Sequence, residues 1–414
     1  MTTAELFEKR KNDPRWNTSY PLNPKDWAQF RVTGELPFRS DERLSFYIHI
    51  PFCKQLCSFC EYTRMICPNE GIQQSYLLAI KHDVECFKKA HPSISLLGFD
   101  FGGGTPTSLS ESNISLLMNI YQDAIEGLPL SSDYEASIEG TFNTLSVRKL
   151  ESIASAGILR LSLGVQSSNC GVLNRHHRSG SDKLQMSYWI QAALTSGIRK
   201  VNLDFMYGLN GQSTSTIVED LDLINHLHPQ QVTLYELRGN MITDTCPFTK
   251  EELYSQYCQY YDGLLSMGYR ARFGQNTFSL DSNDLGLSSY LRSRMIDGAS
   301  YKGFGLSAQS MSSSGVSYNV GKLAKNPEAL LGAEAYPEQD TYILPPQELS
   351  AKYLAISAYY GAFSKNKLTL NDTLQERLDF CIAQGLLREC VDGQICITEK
   401  GFLHYGAVFS LLNV

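Results

Sequence analysis

The strongest constraint on this chain is an alternation: strand-like apolar runs and longer helical patterns trade places six times between residues 45 and 268. The predicted strands are "SFYIHI" (45–50), "LLGFDF" (96–101), "YEASIEG" (134–140), "LRLSLGV" (159–165), "KVNLDFM" (200–206) and "QVTLYEL" (231–237). The predicted helices lie near 73–90, 112–126, 146–156, 183–196, 213–227 and 250–268. Repeated strand-helix units imply an α/β fold, a parallel sheet with helices outside, curled as a full or partial (β/α)6 TIM-like barrel or left open. In each case ligands gather beyond the C-terminal ends of the strands.

The marked residues sit at that rim. Three cysteines follow the first strand and "GGGTPT" (102–107) follows the second; Glu139 ends the third, Gln166 follows the fourth and Asp204 lies in the fifth. Taken singly, a Gly-rich segment is often only a turn, and a carboxylate at a strand end is often only a cap. Five elements aiming polar groups at one rim are harder to explain that way.

The core is expected at 44–280, with a polar, Pro-containing N-terminal arm at 1–43 and a C-terminal domain at 281–414. The small-residue stretch "GFGLSAQSMSSSG" (303–315) reads as a loop or tightly packed turn. Residues 347–414 predict a small helical, winged-helix-like domain, with "VDGQ" as a hairpin turn and a helix after "TEKG".

Composition narrows the partners. A net charge of −7 without a basic block argues against nucleic acid. No run of about eighteen apolar residues is present to span a bilayer, and the first residues lack the apolar stretch of a secretory signal, so a cytoplasmic protein with a small-molecule substrate is expected. A monomer is compatible with such a fold.

Eleven cysteines in a reducing compartment argue against a disulfide framework. Cys86, Cys170 and Cys258 stand singly in helical or apolar surroundings, where a cysteine acts as a small core residue. The group Cys53, Cys57 and Cys60, spaced C-x3-C-x2-C, is different. Three thiolates can ligate three irons of a [4Fe–4S] cluster and leave the fourth iron open. A structural zinc would need a fourth ligand, with His49 and Cys67 the nearest.

The string "YIHIPFCKQLCSFC" resembles the radical S-adenosylmethionine (radical SAM) enzymes, within them the group of oxygen-independent coproporphyrinogen III oxidase and its related heme chaperone. The likeness continues through "FGGGTPTSL", "SIEGTFNTL", "AGILRLSLGVQS", "VNLDFMYGLNGQS", "GFGLSAQSM" and "ITEKGFLHYGAVF". "PRWNTSYP" (14–21) is similar to the oxidase's N-terminal arm, which the chaperone branch lacks. The resemblance implies a radical SAM barrel in which Cys53, Cys57 and Cys60 hold the cluster and the open iron chelates S-adenosylmethionine. An electron from a donor such as flavodoxin or ferredoxin would then cleave the sulfonium to a 5′-deoxyadenosyl radical. By the same resemblance Phe59 packs on the nucleoside, Gly103 lets the backbone approach the methionine moiety, and Tyr47 and Glu139 complete the reacting centre. A second S-adenosylmethionine beside the first is implied at Gly104, Thr105, Gln166, Arg175 and Asp204; an ion pair between Arg175 and Asp204 is the alternative reading.

The chain departs from the oxidase pattern at Tyr62, at Asn276 and Thr277, at Glu236, and at Gln309, which replaces an apolar residue near the first cofactor. These changes add or move polarity beside the reacting centre and leave three expected functions. One is an oxidase-like enzyme abstracting hydrogen from a tetrapyrrole or another organic substrate. Another is a two-cofactor methyltransferase or cyclopropane-forming enzyme, and the third is a heme chaperone. His176 and His177 are read as a solvated feature of the rim rather than as heme ligands.

Overall fold

A computed structural model describes residues 1–11, 20–21, 24–237, 246–319, 339–390 and 393–413. The six predicted strands are β1 (Arg43–Ile50), β2 (Ser95–Gly103), β3 (Ala136–Gly140), β4 (Arg160–Gln166), β5 (Lys200–Tyr207) and β6 (Gln231–Glu236). They pair in parallel in chain order, β1 to β6. Helices α1 (Glu70–Ala90), α2 (Glu111–Ile125), α3 (Val147–Ser155), α4 (Lys183–Thr195), α5 (Thr214–Leu227) and α6 (Lys250–Ser266) follow them.

Each helix starts where its sequence supplies a side-chain acceptor for the orphan N–H groups of the first turn. Asn69, Ser110, Ser146 and Asp182 cap α1 to α4. Ser213 and Thr249 form full capping boxes at α5 and α6. The helix faces then cover the outer side of the sheet: α1 buries Tyr76, Leu77, Ile80, Val84 and Phe87, each burial contributing roughly 1.5–3 kcal/mol.

The two-residue period of the strands divides the sheet into two faces. Phe46 and Ile48, Phe99 and Phe101, Leu161 and Leu163, Val201 and Leu203, and Val232 and Leu234 join the apolar core beneath the helices. The alternate positions are polar and line the interior: Tyr47 and His49, Asp100, Glu139, Arg160 and Ser162, Asn202 and Asp204, and Gln231 and Thr233.

The sheet does not stop at residue 280. Thr277–Ser279 adds antiparallel to β6, and Ser300–Phe304 pairs in parallel with the opposite edge at β1. Gln309–Ser312, Gly315–Asn319, Gln339–Ile343 and the short strand Arg31–Val32 extend that edge and bring the sheet to twelve strands among the described residues. Among the described residues the edges do not join, so the barrel is partial. The predicted loop at 303–315 is thus corrected to one whole strand and the ends of two others. Its small residues are there because strands crowd: a Cβ on Gly303 would lie 2.4 Å from the Gln309 carbonyl oxygen, and one on Gly315 would lie 1.9 Å from that of Tyr342.

The C-terminal part is helical around a three-stranded sheet, Ala362–Ser364, Gln394–Ile397 and Leu387–Glu389, with the last two forming the predicted hairpin. Val391 and Asp392 of its turn lie outside the described residues. Helix Tyr405–Leu411 follows "TEKG" after a short turn of helix at Glu399–Phe402. Cys390 and Cys396 are joined in a disulfide across this hairpin, a correction to the expectation of free thiols; cross-strand neighbours bring them together although only five residues separate them in sequence. The N-terminal helix Thr3–Lys11 docks here, with Phe7 in the same core as Leu378 and Val408. The arm-like segment 14–21 lies almost entirely outside the described residues. Among the described residues no helix is long and apolar enough to cross a membrane.

Because the clash at Gly315 is with backbone, it cannot be relieved by a rotamer change. Gly315→Ala is expected to lower stability by about 1–3 kcal/mol, read as a lower denaturation midpoint, whereas Gly127→Ala meets no atom within 4 Å and acts only through its φ of +73°.

Candidate active site

β1 leads through Pro51 into the cysteine loop, which returns at Met65–Ile66 to pair with Phe52–Cys53. Hydrogen bonds close the loop, Met65 N to Pro51 O and Cys67 N to Cys53 O, both 2.8 Å. Two more, Gly104 N to Ile50 O and Thr105 N to Phe52 O at 2.8 Å, tie it to the glycine segment after β2. From the other side, Ser58 N donates to His176 O at 3.1 Å and Arg64 Nη2 to Cys57 O at 2.7 Å.

His176 is a correction. It is buried, not solvated. The backbone N–H of Asn210 donates to its Nε2 at 3.0 Å, so the proton sits on Nδ1, which faces Ser58 Oγ at 3.3 Å. The ring positions the cysteine loop against the segment after β5; His177 beside it is exposed.

Cys53 and Cys57 are buried and Cys60 is half-buried. Burial pushes the Cys53 thiol up to about 11, and it raises Cys60 as well, with Arg64 opposing. Thr105 Oγ1 donates to Cys53 Sγ and Arg178 Nη1 to Cys57 Sγ, each at 3.5 Å. Donors and a guanidinium aimed at sulfur suit thiolates, and in so dry a place thiolates require a metal's charge. Among the described residues no three His, Cys, Asp or Glu side chains converge on a single-ion site. Three thiols that each serve a different iron of one cluster need no such convergence.

The glycines after β2 permit close approach. A Cβ on Gly102 would come 2.8 Å from the Glu139 carboxyl, and one on Gly103, at φ +111°, 2.4 Å from the His49 ring. Gly103 N donates to Glu139 Oε2 at 3.3 Å. Burial keeps His49 neutral, down to about 4, while its Nε2 donates to Thr63 O at 2.8 Å.

Three carboxyls share the interior. Desolvation by the surrounding lumen walls pushes Glu139 up to about 8, with Asp204 and Asp100 adding repulsion, although its side chain still reaches solvent through the open lumen; burial pushes Asp100 up to about 7, and Asp204, half-buried, is raised too, mainly by desolvation. Arg160 lies within electrostatic reach of all three. Asp204 accepts from Ser162 Oγ at 2.9 Å and Asn202 Nδ2 at 2.8 Å. One Asp100 oxygen and Gln166 Oε1 are buried with no hydrogen-bond partner. A lumen so rich in acceptors suits a cation carrying N–H donors, and a sulfonium amino acid is one.

The structure therefore brings together Tyr47, Cys53, Cys57, Cys60, Gly103, Gly104, Thr105, Glu139, Gln166 and Asp204. Arg175 is placed apart, exposed and alongside Gly211. Arg178, which sequence reasoning passed over, is the arginine that reaches Cys57 and Gly164 O and acts on Asp204. Phe59 packs among Val172, Met206, Leu209 and Leu237. Gln309 lies beyond Tyr47 in a separate network with Arg294, Tyr301 and Tyr318. Asp100, Arg160 and Asn202 were also missed, although polar residues at every second position of otherwise apolar strands were a readable signal.

Residues 47–224 match the Radical SAM superfamily. This stretch is a radical SAM domain. Its family uses a [4Fe–4S] cluster and S-adenosylmethionine. The chain is similar to the heme chaperone HemW of Haemophilus influenzae, 29% identical over 47% of this chain and 51% of that protein. It is also similar to the oxygen-independent coproporphyrinogen III oxidase of Salmonella typhimurium, 30% identical over 54% of this chain and 48% of that one. The chain spans about half the length of the curated relatives it matches. The solved coproporphyrinogen III oxidase HemN of Escherichia coli shares the fold, with a TM-score of 0.72, 20% identity and 91% of each chain covered. The radical SAM domain thus carries its cysteine loop where a partial barrel of this kind presents ligands.

Cys57→Ala is expected to abolish the brown colour and iron content of anaerobically reconstituted protein. Cys67→Ala, which removes a thiol that accepts from Gln73 at 3.3 Å, should retain both.

Proposed function

We infer that this chain is a radical SAM enzyme in which residues 44–280 carry the chemistry and residues 281–414 complete the enclosure. The observation that carries the reading is the placement of three thiols, two buried and one half-buried, on one tied-down loop facing a lumen of raised carboxyls. Cys53, Cys57 and Cys60 would hold the cluster. When bound, the cluster and S-adenosylmethionine supply reductive cleavage of a sulfonium to a carbon radical, with the electron coming from a small flavin or iron–sulfur protein.

The chain's own residues orient and enclose. Glu139 and the backbone at Gly103 and Gly104 offer acceptors and room for the amino-acid end of the cofactor. Tyr47 stays protonated, raised by burial, and stands as a donor beside Glu139. Apolar side chains beneath the helices and the half-buried loop exclude water from the radical. The substrate is an organic small molecule, with tetrapyrroles favoured because the curated relatives are named for coproporphyrinogen III and heme.

A second S-adenosylmethionine, and with it methyl transfer, is favoured by one observation. Gln166, at φ +72° on the bulge of β4, carries a buried unpartnered Oε1, and its amide lies next to Arg178 over Gly164, the residue that pairs with Asp204. The heme-chaperone reading loses its histidine pair, because both ring nitrogens of His176 are engaged.

Product analysis on anaerobically reconstituted protein with dithionite tests the reading. 5′-Deoxyadenosine alone marks hydrogen abstraction, 5′-deoxyadenosine with S-adenosylhomocysteine marks methyl transfer, and neither product overturns the assignment. A pH series probes Glu139. Its folded carboxyl stays protonated to about 8, above the ordinary 4.5, so its ionisation costs stability as pH climbs through that window. A bound cation offsets the cost, so S-adenosylmethionine affinity measured by equilibrium dialysis should strengthen toward pH 8, and Glu139→Gln should flatten the dependence.

A further inference from the structure

Arg294 stands on the short helix Ser289–Met295, packed against β1 and β2 and outside every role assigned above. Its guanidinium lies 4.8 Å above the Tyr301 ring and 6.0 Å from that of Tyr290. Nη2 donates to Gln309 Oε1 at 3.2 Å and Nη1 to Tyr290 Oη at 3.4 Å. Its Nε is buried with no partner. Its contacts are neutral oxygens and ring faces; among the described residues no carboxylate forms an ion pair with it.

A half-buried guanidinium with its Nε fully buried and only neutral partners is unfavourable unless an anion completes the set. Acids are not scarce in this chain, with 43 Asp and Glu against 36 Lys and Arg. The partners are also oriented. Gln309 Nε2 donates to Tyr318 Oη at 2.6 Å, and Tyr301 donates to Gln309 Oε1, so the amide presents its oxygen to Arg294 and holds the fork in place.

The position joins this group to the reacting centre. Tyr290 stacks on Tyr47 with ring centroids 5.5 Å apart and planes at 21°. Tyr47 in turn lies within electrostatic reach of both Glu139 and Arg294. Tyr301 beneath it pairs with Ser45 on β1, so the guanidinium lies on the lumen side of the sheet at the level of Ser45, below Tyr47 and the cysteine loop. The interior is thus polarised, with three carboxyls toward β2, β3 and β5 for a cationic cofactor and one uncompensated guanidinium toward Ser300–Phe304.

We propose that Arg294 is a specificity-determining residue that receives a carboxylate of the substrate, with Gln309 and Tyr301 holding its fork and the Tyr47–Tyr290 stack forming an aromatic wall beside it. The planar fork matches a carboxylate in two parallel hydrogen bonds. This proposal rests on the enzymatic reading above, because it concerns the substrate of that same lumen.

The test uses anaerobically reconstituted protein and two probes, coproporphyrin III, which carries four carboxylates, and the same ring with its propionates amidated. Binding is followed by the shift of the porphyrin absorption band. Wild type should bind the acid roughly tenfold or more tighter than the amide, the size of one charge-assisted pair. Arg294→Gln should lose that preference and leave amide affinity unchanged, and Arg294→Lys should keep part of it. Iron content and melting temperature certify the fold of each variant. Equal binding of acid and amide by wild type, no binding of either, or a folded Arg294→Gln protein that retains the preference would overturn the proposal. Release of 5′-deoxyadenosine by wild type without any porphyrin is measured separately. Its absence sinks the radical reading, whereas loss of the acid preference sinks only the role of Arg294.

Discussion

The pairing of β1 with β2, from Arg43 opposite Ser95 to Ile50 opposite Gly103, sets the position of everything that acts chemically. A parallel ladder allows one register per pair when one face must be apolar, because a slip of one residue would turn every side chain over. That register lays Tyr47 beside Asp100 and His49 beside Gly102. The chain then leaves both strands at the same level, so the cysteine loop and the glycine segment meet and share backbone hydrogen bonds.

Burial on the inner face has an electrostatic consequence. Asp100, Glu139 and Asp204 face one lumen, Asp100 buried and Glu139 open to solvent at its mouth, and desolvation, aided at Glu139 by mutual repulsion, holds their carboxyls above their ordinary values. Such an interior is a poor place for empty carboxylates and a good one for a cation with hydrogen-bond donors. The same reasoning with the sign reversed applies at Arg294, where a guanidinium is enclosed by tyrosines and an amide. The two ends of the lumen therefore ask for opposite charges, which suits a cationic cofactor and an anionic substrate meeting between them.

The six strand-helix units were legible nearly to the residue because apolar periodicity and capping residues agree at each of them. Ser213 and Thr249, for example, begin α5 and α6 with complete capping boxes. The strands at 300–319 were not legible, since Gly303, Gly305, Ser307, Ser310 and Ser312 offer no apolar rhythm. Gly303 and Gly305 are glycines because neighbouring backbone leaves no room for a side chain, and that is a property of the partner strands rather than of the segment. The same blindness to partners made Arg175 look like the site arginine when Arg178, three residues on, is the one turned toward Cys57.

The sequence by itself determined the α/β class, the order of the parallel units and the trio Cys53, Cys57 and Cys60 on the first loop, because each follows from periodicity or spacing along the chain. Only the tertiary structure decided that His176 is buried beneath that loop, that Cys390 and Cys396 are joined, that the sheet runs on past 280, and that Arg294 lacks a counter-charge among the described residues. These depend on which segments become neighbours in space, whether across a hairpin as for Cys390 and Cys396 or across the fold as for His176 and Ser58, and such contacts leave no periodic pattern along the chain to read.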